Sequence, residues 1–242
     1  MTVLRIAMAA HKGGSGKTTV TANLAGALVA SGRSVLVVDV DPQGACGSAL
    51  GVSAAKPTIY EVLAGTASID DAVRPTGIPG LSVLPADLDL AGAEIELPRR
   101  ASWQEILRDH LRAVRGFDIV LVDTAPGLGV LPFVALVSSE RVLVVCPPDF
   151  LSLRSLPTVL EAAERADVHL VGIVPNRLEG RTRHEADALA ELERAHARLL
   201  LPPIPGRVVL RDAAVAGLPV SVYAPGSDAA SAFDRLALEV LR

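Results

Sequence analysis

The fold of this chain is decided by the stretch His11-Lys12-Gly13-Gly14-Ser15-Gly16-Lys17-Thr18-Thr19. An apolar run from Val3 to Ala10 precedes it, and an alanine-rich segment with helical periodicity follows it. A strand that turns through glycines into a helix directs several backbone N–H groups at one spot, where the helix N-terminus adds about half a positive charge. Such a spot binds polyphosphate. The stretch therefore predicts a phosphate-binding loop, and the alternative is a glycine-rich turn without a ligand.

The residue types of this loop predict a nucleotide site. They follow the pattern G-x-x-x-x-G-K-[ST] except at its first position, where this chain has His11. Lys17 is expected to reach the β and γ phosphates, and the Thr18 hydroxyl is expected to ligate Mg²⁺. The predicted nucleotide contacts in the loop are Gly13, Gly14, Ser15, Gly16, Lys17, Thr18 and Thr19.

A second lysine, Lys12, makes the loop distinctive. The string Lys-Gly-Gly-x-Gly-Lys-Thr-Thr resembles the deviant Walker A motif of the ParA/MinD ATPases, in which the first lysine is the signature residue. The resemblance implies that ATP is the nucleotide and that Lys12 reaches across a dimer interface to the phosphates held by the other subunit. From the residues alone, Lys12 could also be a solvated loop lysine.

Composition limits the classes of protein. With 242 residues, half of them apolar and 3% aromatic, the chain can bury roughly 70% of its unfolded surface in one core. No apolar run reaches the ~18 residues that cross a bilayer, and we expect a cytoplasmic protein. Cys46 and Cys146 are too few for a disulfide framework and read as reduced thiols. The net charge of −4 argues against a surface coated with basic residues for nucleic acid, although a local patch remains open.

Strand-like and helical segments alternate along the chain. Strands are predicted at Val3–Ala9, Ser34–Asp39, Leu81–Leu84, Asp118–Asp123, Arg141–Cys146 and His169–Val174. Helices are predicted at Thr18–Ala30, Trp103–Val114, Leu153–Ala166, His184–Leu199 and Ala229–Leu241. This order predicts an α/β fold, a single-domain P-loop NTPase with a mostly parallel twisted sheet and helices on both faces. In such sheets ligands bind beyond the carboxyl ends of the strands.

Two of the predicted strands end in acids. Asp39 and Asp41 follow a buried run with a spacing that puts both side chains on one face, and a buried carboxylate needs a cation or hydrogen-bond donors. The segment resembles the family's Asp-x-Asp-Pro-Gln-Gly box, which implies that Asp41 positions the attacking water and that Asp39 supports the metal region. The alternative is that these acids cap the next turn.

Asp123 ends the strand Ile119–Asp123, which has the form of a Walker B strand. It is expected to hold Mg²⁺ through water, because this ion keeps part of its hydration shell beside a carboxylate and phosphates. The predicted metal residues are thus Thr18, Asp39 and Asp123. The resemblance implies that the next segment, Ala125–Gly129, senses the γ-phosphate as a switch.

The resemblance extends over nearly the whole chain. Leu90–Leu97 is similar to the family's segment before the Walker B strand, and the tail Ile204–Leu241 is similar to the small chromosomal ParA (Soj) proteins. It implies that Asn176 binds adenine and that the Pro205 backbone helps to frame the base. On the residues alone, Asn176 could equally be a turn asparagine beside Pro175.

The resemblance narrows to a compact ParA with one domain over residues 1–242. A MinD-like membrane helix is not expected, because Phe233, Leu236 and Val240 look like core contacts and the chain stops at Arg242. An N-terminal helix-turn-helix is not expected, since the nucleotide loop starts at residue 11. Cys46 and Cys146 do not sit where the nitrogenase iron protein relatives carry their cluster cysteines.

For such proteins the resemblance implies a weak ATPase that forms a homodimer with ATP, binds double-stranded DNA non-specifically on the nucleoid, and is stimulated by a ParB-like centromere-binding protein. The expected DNA contacts are Arg181, Arg183, Arg207 and Arg211, although Val209 occupies a position where the Soj proteins carry a basic residue. These arginines could instead serve solubility alone. Two other functions stay open: a relative that positions a protein cargo on the nucleoid, and a metabolic P-loop enzyme such as a synthetase.

Overall fold

The apolar runs of the sequence pair into one sheet. The computed structural model describes residues 3–180 and 182–242, and within them the strands are β1 Leu4–Ala9, β2 Val35–Val40, β3 Arg74–Pro75, β4 Leu81–Leu84, β5 Ile119–Thr124, β6 Arg141–Cys146, β7 His169–Leu178 and β8 Ile204–Pro205. They lie in the order β3-β4-β2-β5-β1-β6-β7-β8. All neighbours are parallel except β3 and β4. The predicted α/β fold with a mostly parallel sheet is confirmed.

Helices connect the strands and cover the sheet. They are α1 Lys17–Ala30, α2 Ala45–Ala49, α3 Ile59–Ala64, α4 Ile69–Ala72, α5 Ala93–Glu96, α6 Ile106–Ala113, α7 Val130–Val137, α8 Phe150–Arg165, α9 Arg183–His196, α10 Val208–Val215, α11 Val220–Tyr223 and α12 Asp228–Val240. Short 3₁₀ turns at Leu88–Gly92, Leu97–Arg99, Trp103–Glu105 and Ala197–Leu199 complete the connections.

Two hydrophobic cores lie on opposite faces of the sheet. Successive side chains of a strand point to opposite faces, and in β2 Leu36 and Val38 pack into one core while Val35 and Val37 pack into the other. The second core is closed by α1 and α12, and Phe233, Leu236 and Val240 of α12 are fully buried there as the sequence predicts. Burial on both faces explains why the central strands read as continuous apolar runs.

Some predicted boundaries are wrong, and local contacts explain them. The eighth helix begins at Phe150 rather than Leu153, because the Asp149 carboxylate accepts a hydrogen bond from the Ser152 N–H and caps the helix there. Strand β7 continues to Leu178 rather than ending at Val174, because its last residues pair with β8.

The helix α7 was not predicted at all. Its sequence Val-Leu-Pro-Phe-Val-Ala-Leu-Val has no polar face, and five of its eight residues are buried. A short apolar segment of this kind cannot be distinguished from a strand by periodicity. The parallel order of the sheet nevertheless needs a crossover after β5, and α7 supplies it.

Candidate functional site

The phosphate loop connects the end of β1 to the start of α1. Gly14 and Gly16 adopt left-handed backbone conformations with φ of 75° and 87°, which glycine reaches without steric cost. At Gly16 the requirement is also spatial, because an added Cβ would lie 2.3 Å from the Asn176 side-chain nitrogen. The loop therefore depends on glycine for both its turn and its contact with the end of β7.

Behind the loop, the side chains of Lys17 and Thr18 meet the acid at the end of β5. The Thr18 Oγ1 donates a 2.7 Å hydrogen bond to Asp123, and Thr21 Oγ1, one turn further along α1, donates another of 2.7 Å to the second carboxylate oxygen. Lys17 is buried. Burial lowers the pKa of this lysine, and the negative charges of Asp123 and Asp41 oppose the shift. The helix start thus carries a desolvated cation next to an acid, the charge arrangement expected for a phosphate site.

A second acid lies directly beside the first. Asp39 pairs with Asp123 in the register of β2 and β5, and both side chains are fully buried. The Asp39 carboxylate accepts hydrogen bonds from three backbone N–H groups, those of Asp41, Cys46 and Gly47, at 3.0–3.3 Å. Burial, reinforced by the Asp123 charge, raises the pKa of Asp39, and burial likewise raises that of Asp123. Two acids held this close in a desolvated site favour a cation between or beside them.

Asp39 and Asp41 differ in their hydrogen bonds. The Asp39 carboxylate accepts backbone N–H groups of the segment that follows β2, so it orders that segment. Asp41, at the start of the same segment, accepts only the Gln43 N–H at 3.0 Å among its side-chain bonds within the described residues. Asp41 also faces a cavity that Lys17 and Thr18 line.

This cavity is the candidate nucleotide site. It has a volume of about 680 Å³, within the range of small-molecule sites. Its walls are the phosphate loop from Gly13 to Thr19, the end of β2, the end of β7 and the start of α10, and Pro126 closes it beside Gly13. Asn176 and Pro205, the predicted adenine contacts, both line it. The buried Asn176 Nδ2 donates a 2.7 Å hydrogen bond to the Ser15 carbonyl, so its amide also ties β7 to the loop.

Lys12 lies elsewhere. Its side chain is exposed and lines a neighbouring groove of about 1160 Å³ between the phosphate loop, α8 and α9, whereas the 680 Å³ cavity has Lys17 but not Lys12 in its wall. The two lysines of one loop therefore face different spaces.

The predicted switch segment runs beside the phosphate loop. Gly127 N–H donates to the Ala10 carbonyl at 3.3 Å, and Ala125 N–H donates to the Val40 carbonyl at 3.2 Å. At its far end the Glu94 carboxylate accepts the N–H groups of Val130 and Leu131, the first residues of α7, at 3.0 and 3.3 Å. The segment is thus held at both ends.

The predicted DNA-contact arginines lie in different surroundings. Arg181 lies outside the described residues. Arg183 starts α9 with its side chain 94% exposed, 3.8 Å from Asp187. Arg207 forms a 2.7 Å ion pair with Asp228 and lines the nucleotide cavity together with Arg211.

Two residues of the site were missed by sequence reasoning. Glu94 belongs to a segment that was recognised only as similar to the family, and its contact with α7 needs the tertiary fold. The sequence pattern assigns Arg177 no role, yet its guanidinium donates a 2.6 Å hydrogen bond to the Gly14 carbonyl. The one available signal was its position next to Asn176.

Comparison with known proteins identifies the family. A family model described as AAA domain matches residues 3–171. The chromosome partitioning protein ParA of Caulobacter vibrioides is 36% identical, over 98% of this chain and 93% of that protein. The chromosome-partitioning ATPase Soj of Thermus thermophilus is 38% identical, over 99% of this chain and 96% of that protein. The chain belongs to the ParA/Soj family of P-loop ATPases.

Solved structures share the fold of this chain. One described as cobyrinic acid a,c-diamide synthase from Mycobacterium smegmatis, with bound ATP analog and magnesium, has a TM-score of 0.85 and 33% identity, over 100% of this chain and 95% of that one. The septum site-determining protein MinD of Pyrococcus horikoshii, complexed with Mg-ADP, has a TM-score of 0.86 and 31% identity, over 99% and 96%. McdA of Cyanothece, at a TM-score of 0.90 and 21% identity over 99% and 100%, shares the fold.

Among the residues that the structure describes, each helix is too short or too polar to span a bilayer. In the same residues, no three or more His, Cys, Asp or Glu side chains form a cluster that could hold a metal ion.

Proposed function

We propose that the chain is a Mg²⁺-dependent ATPase that binds ATP in the 680 Å³ cavity. Support comes from the phosphate loop, from the buried Lys17 at the start of α1, and from relatives whose structures hold an ATP analogue or ADP with magnesium. Asn176 and Pro205, which also line the cavity, would contact the base.

The residues beside Lys17 fit a magnesium ion. The Thr18 hydroxyl lines the cavity and donates a hydrogen bond to the buried Asp123 carboxylate, and Mg²⁺ prefers oxygen ligands, water among them. Thr18 would hold the ion directly and Asp123 would hold it through water, while Asp39 orders the neighbouring segment. Once bound with the nucleotide, the ion supplies positive charge that offsets the phosphates and the two buried acids.

We further propose that ATP acts as a dimerisation switch. The observation that carries this proposal is the opposite placement of the two loop lysines: Lys17 lies inside the nucleotide cavity, and Lys12 faces the adjacent groove. A cation beside a phosphate site that faces away from it is suited to an anion supplied by another molecule. In a face-to-face homodimer Lys12 would meet the phosphates bound by the partner subunit.

Hydrolysis would then depend on positioning and electrostatics. The loop amides, Lys17 and the partner's Lys12 would stabilise charge on the transferred phosphoryl group, and Asp41 would orient the attacking water. Asp41 is only partly buried, and no group in the described cavity wall has the environment of a strong general base. We therefore expect turnover far below the ~10 per second typical of enzymes, with stimulation by a ParB-like partner.

The biological role proposed here is partition of DNA. The ATP-bound dimer would bind double-stranded DNA through arginines on its surface and would leave it after hydrolysis, so the protein would be associated with the nucleoid. The candidate contacts are Arg181, Arg183, Arg207 and Arg211. Because phosphate contacts carry no base information, binding should be insensitive to sequence and steeply dependent on salt.

Two other functions are compatible with the same ATPase. A relative of this fold could position a protein cargo on the nucleoid instead of DNA. A metabolic role has its own support, since a structure described as a synthase is 33% identical to this chain and the 1160 Å³ groove adjoins the phosphate loop.

A gel-shift experiment separates these functions. Unrelated duplex DNA is titrated with the protein in ATP, in ADP and without nucleotide, each at two salt concentrations. We expect a shift with ATP that weakens at high salt, and a smaller shift in Arg183→Ala than in the control Arg165→Ala, which removes an exposed arginine paired with Glu161. DNA binding that ignores the nucleotide would contradict the switch. Phosphate release that requires a small-molecule substrate would favour the synthase.

A further inference from the structure

Arg177 occupies an unusual backbone position. In the pairing of β7 with β8, Asn176 is opposite Ile204 and Leu178 is opposite Pro205, so Arg177 is an extra residue in β7. Its φ of 64° lies in the left-handed region, which few residues other than glycine adopt. A bulge of this kind re-aims a side chain, and such bulges are frequent beside active sites.

The re-aimed side chain reaches the phosphate loop. The Arg177 Nη1 donates a 2.6 Å hydrogen bond to the Gly14 carbonyl, and the adjacent Asn176 Nδ2 donates one of 2.7 Å to the Ser15 carbonyl. The end of β7 therefore holds two consecutive carbonyls of the loop from one side.

These two bonds fix the direction of the loop amides. In a planar trans peptide the C=O and the following N–H point in opposite directions. Holding the Gly14 carbonyl therefore orients the Ser15 N–H away from Arg177, and holding the Ser15 carbonyl does the same for the Gly16 N–H. Ser15 and Gly16 both line the nucleotide cavity, and backbone N–H groups of such loops bind phosphate.

Arg177 lies between the two cavities beside the phosphate loop. The residue lines both the 680 Å³ cavity and the 1160 Å³ groove that Lys12 faces. A change in its contact with Gly14 would therefore alter the loop between the two lysines.

We propose that Arg177 is a positioning residue, aimed by the β7 bulge, that preorganises the phosphate loop for the nucleotide. The inference rests on the proposed ATP site. It predicts that the guanidinium contributes to nucleotide binding even in one isolated subunit, before any dimer forms.

The test uses Arg177→Gly and Mg-ADP, which binds without the proposed ATP-driven dimer. Glycine relaxes the left-handed backbone but gives the unfolded chain more conformational freedom, and these two effects oppose each other, so the thermal stability of the nucleotide-free chain should change little. Affinity for Mg-ADP should nevertheless fall about tenfold, as expected for loss of a charge-assisted hydrogen bond. Arg177→Lys keeps a charged donor and should recover part of that loss.

The matched control is Asp167→Gly. Asp167 also has a left-handed backbone, with φ of 53°, in the connection between α8 and β7. This variant should gain or keep stability with no change in Mg-ADP affinity.

Each result decides the inference. It is overturned if Arg177→Gly binds Mg-ADP as the wild type does, if stability and affinity fall together, if only ATP binding changes, or if lysine binds no better than glycine. If the wild type itself binds neither ADP nor ATP, both the proposed function and this inference are wrong.

Discussion

Acidic side chains have opposite surroundings at the two ends of the sheet. At the amino end, Asp118 accepts the Ser34 N–H and hydroxyl at 2.8 and 2.9 Å, which lowers the pKa of this acid, and Arg5 pairs with Glu140 at the surface. At the carboxyl end, Asp39 and Asp123 are fully buried side by side with raised pKa values.

The difference separates structural from functional charges. At the amino end Asp118 and Glu140 each have a fixed protein partner and are partly exposed, so their charges stabilise the folded state. At the carboxyl end burial opposes ionisation, and the described residues supply one buried lysine for two buried acids. A bound cation with a nucleotide balances the charges at that end. Removing an acid should therefore lower the stability of the nucleotide-free chain at the amino end but not at the carboxyl end.

The largest effect is expected from Asp123→Asn. Hydrolysis of Mg-ATP should fall about 100-fold, because the acid no longer supports the metal. The stability of the nucleotide-free chain at pH 8 should not fall, since the change removes a buried charge. Phosphate release and urea unfolding measure the two quantities.

The matched variant at the amino end is Asp118→Asn. Both Ser34 donors meet the same carboxylate oxygen, so the asparagine carbonyl can still accept them, but the negative charge that strengthens these bonds is lost. Stability should therefore fall modestly while hydrolysis is retained. Loss of stability in Asp123→Asn together with unchanged hydrolysis would reverse the comparison between the two ends.

The second prediction concerns pH. Burial raises the pKa of Asp39 from 3.8 to about 8, so between these values the folded chain binds more protons than the unfolded chain. The contribution of this group to the free energy of unfolding is therefore full below about pH 4 and is lost as the pH rises through about 8. Urea unfolding of the nucleotide-free protein at several pH values should show this decline.

The comparison of wild type with Asp39→Asn measures the titration of Asp39 together with its coupling to Asp123. Burial lowers the pKa of His110, which acts in the opposite direction near neutral pH, but His110 is present in both proteins. As the pH rises, the free energy of unfolding of the wild type should fall relative to that of the variant. A constant difference over pH 5–8 would show that Asp39 ionises normally.

The smallest effect concerns Glu94, an acid at the carboxyl end that has fixed partners. Because its carboxylate accepts two N–H groups at the start of α7, Glu94→Ala should cost about 1 kcal/mol of stability. Mg-ADP affinity should be unchanged, as for an amino-end acid. Urea unfolding and calorimetric titration measure the two quantities.

The control for Glu94 is Glu96→Ala, which removes a 3.2 Å contact to the exposed Tyr60 hydroxyl and should change stability less. A tenfold loss of Mg-ADP affinity in Glu94→Ala alone would place Glu94 with the functional acids instead.

The sequence predicts the central strands, α1, α12 and the phosphate loop because each is encoded locally. Strands β1, β2, β5 and β6 are continuous apolar runs, and the glycines and Lys17 follow the first of them directly. These features need no knowledge of distant residues.

The remaining features depend on contacts between distant residues. The short helices α2 to α5, α10 and α11 have four to eight residues, and helices of that length are stable only through tertiary packing. Arg177 reaches the loop because of a bulge formed with Pro205, and Arg207 pairs with Asp228. The sequence alone does not show which residue each of these two arginines contacts, so it does not assign their roles.

The central claim is that ATP closes two subunits around paired nucleotides, with Lys12 crossing to the partner's phosphates. Light scattering of the protein with Mg²⁺ and a non-hydrolysable ATP analogue tests it most directly. We expect the mass of two chains for the wild type, and the mass of one chain for Lys12→Ala that still binds the analogue. A single-chain mass for the nucleotide-loaded wild type, or a dimer of Lys12→Ala, would contradict it.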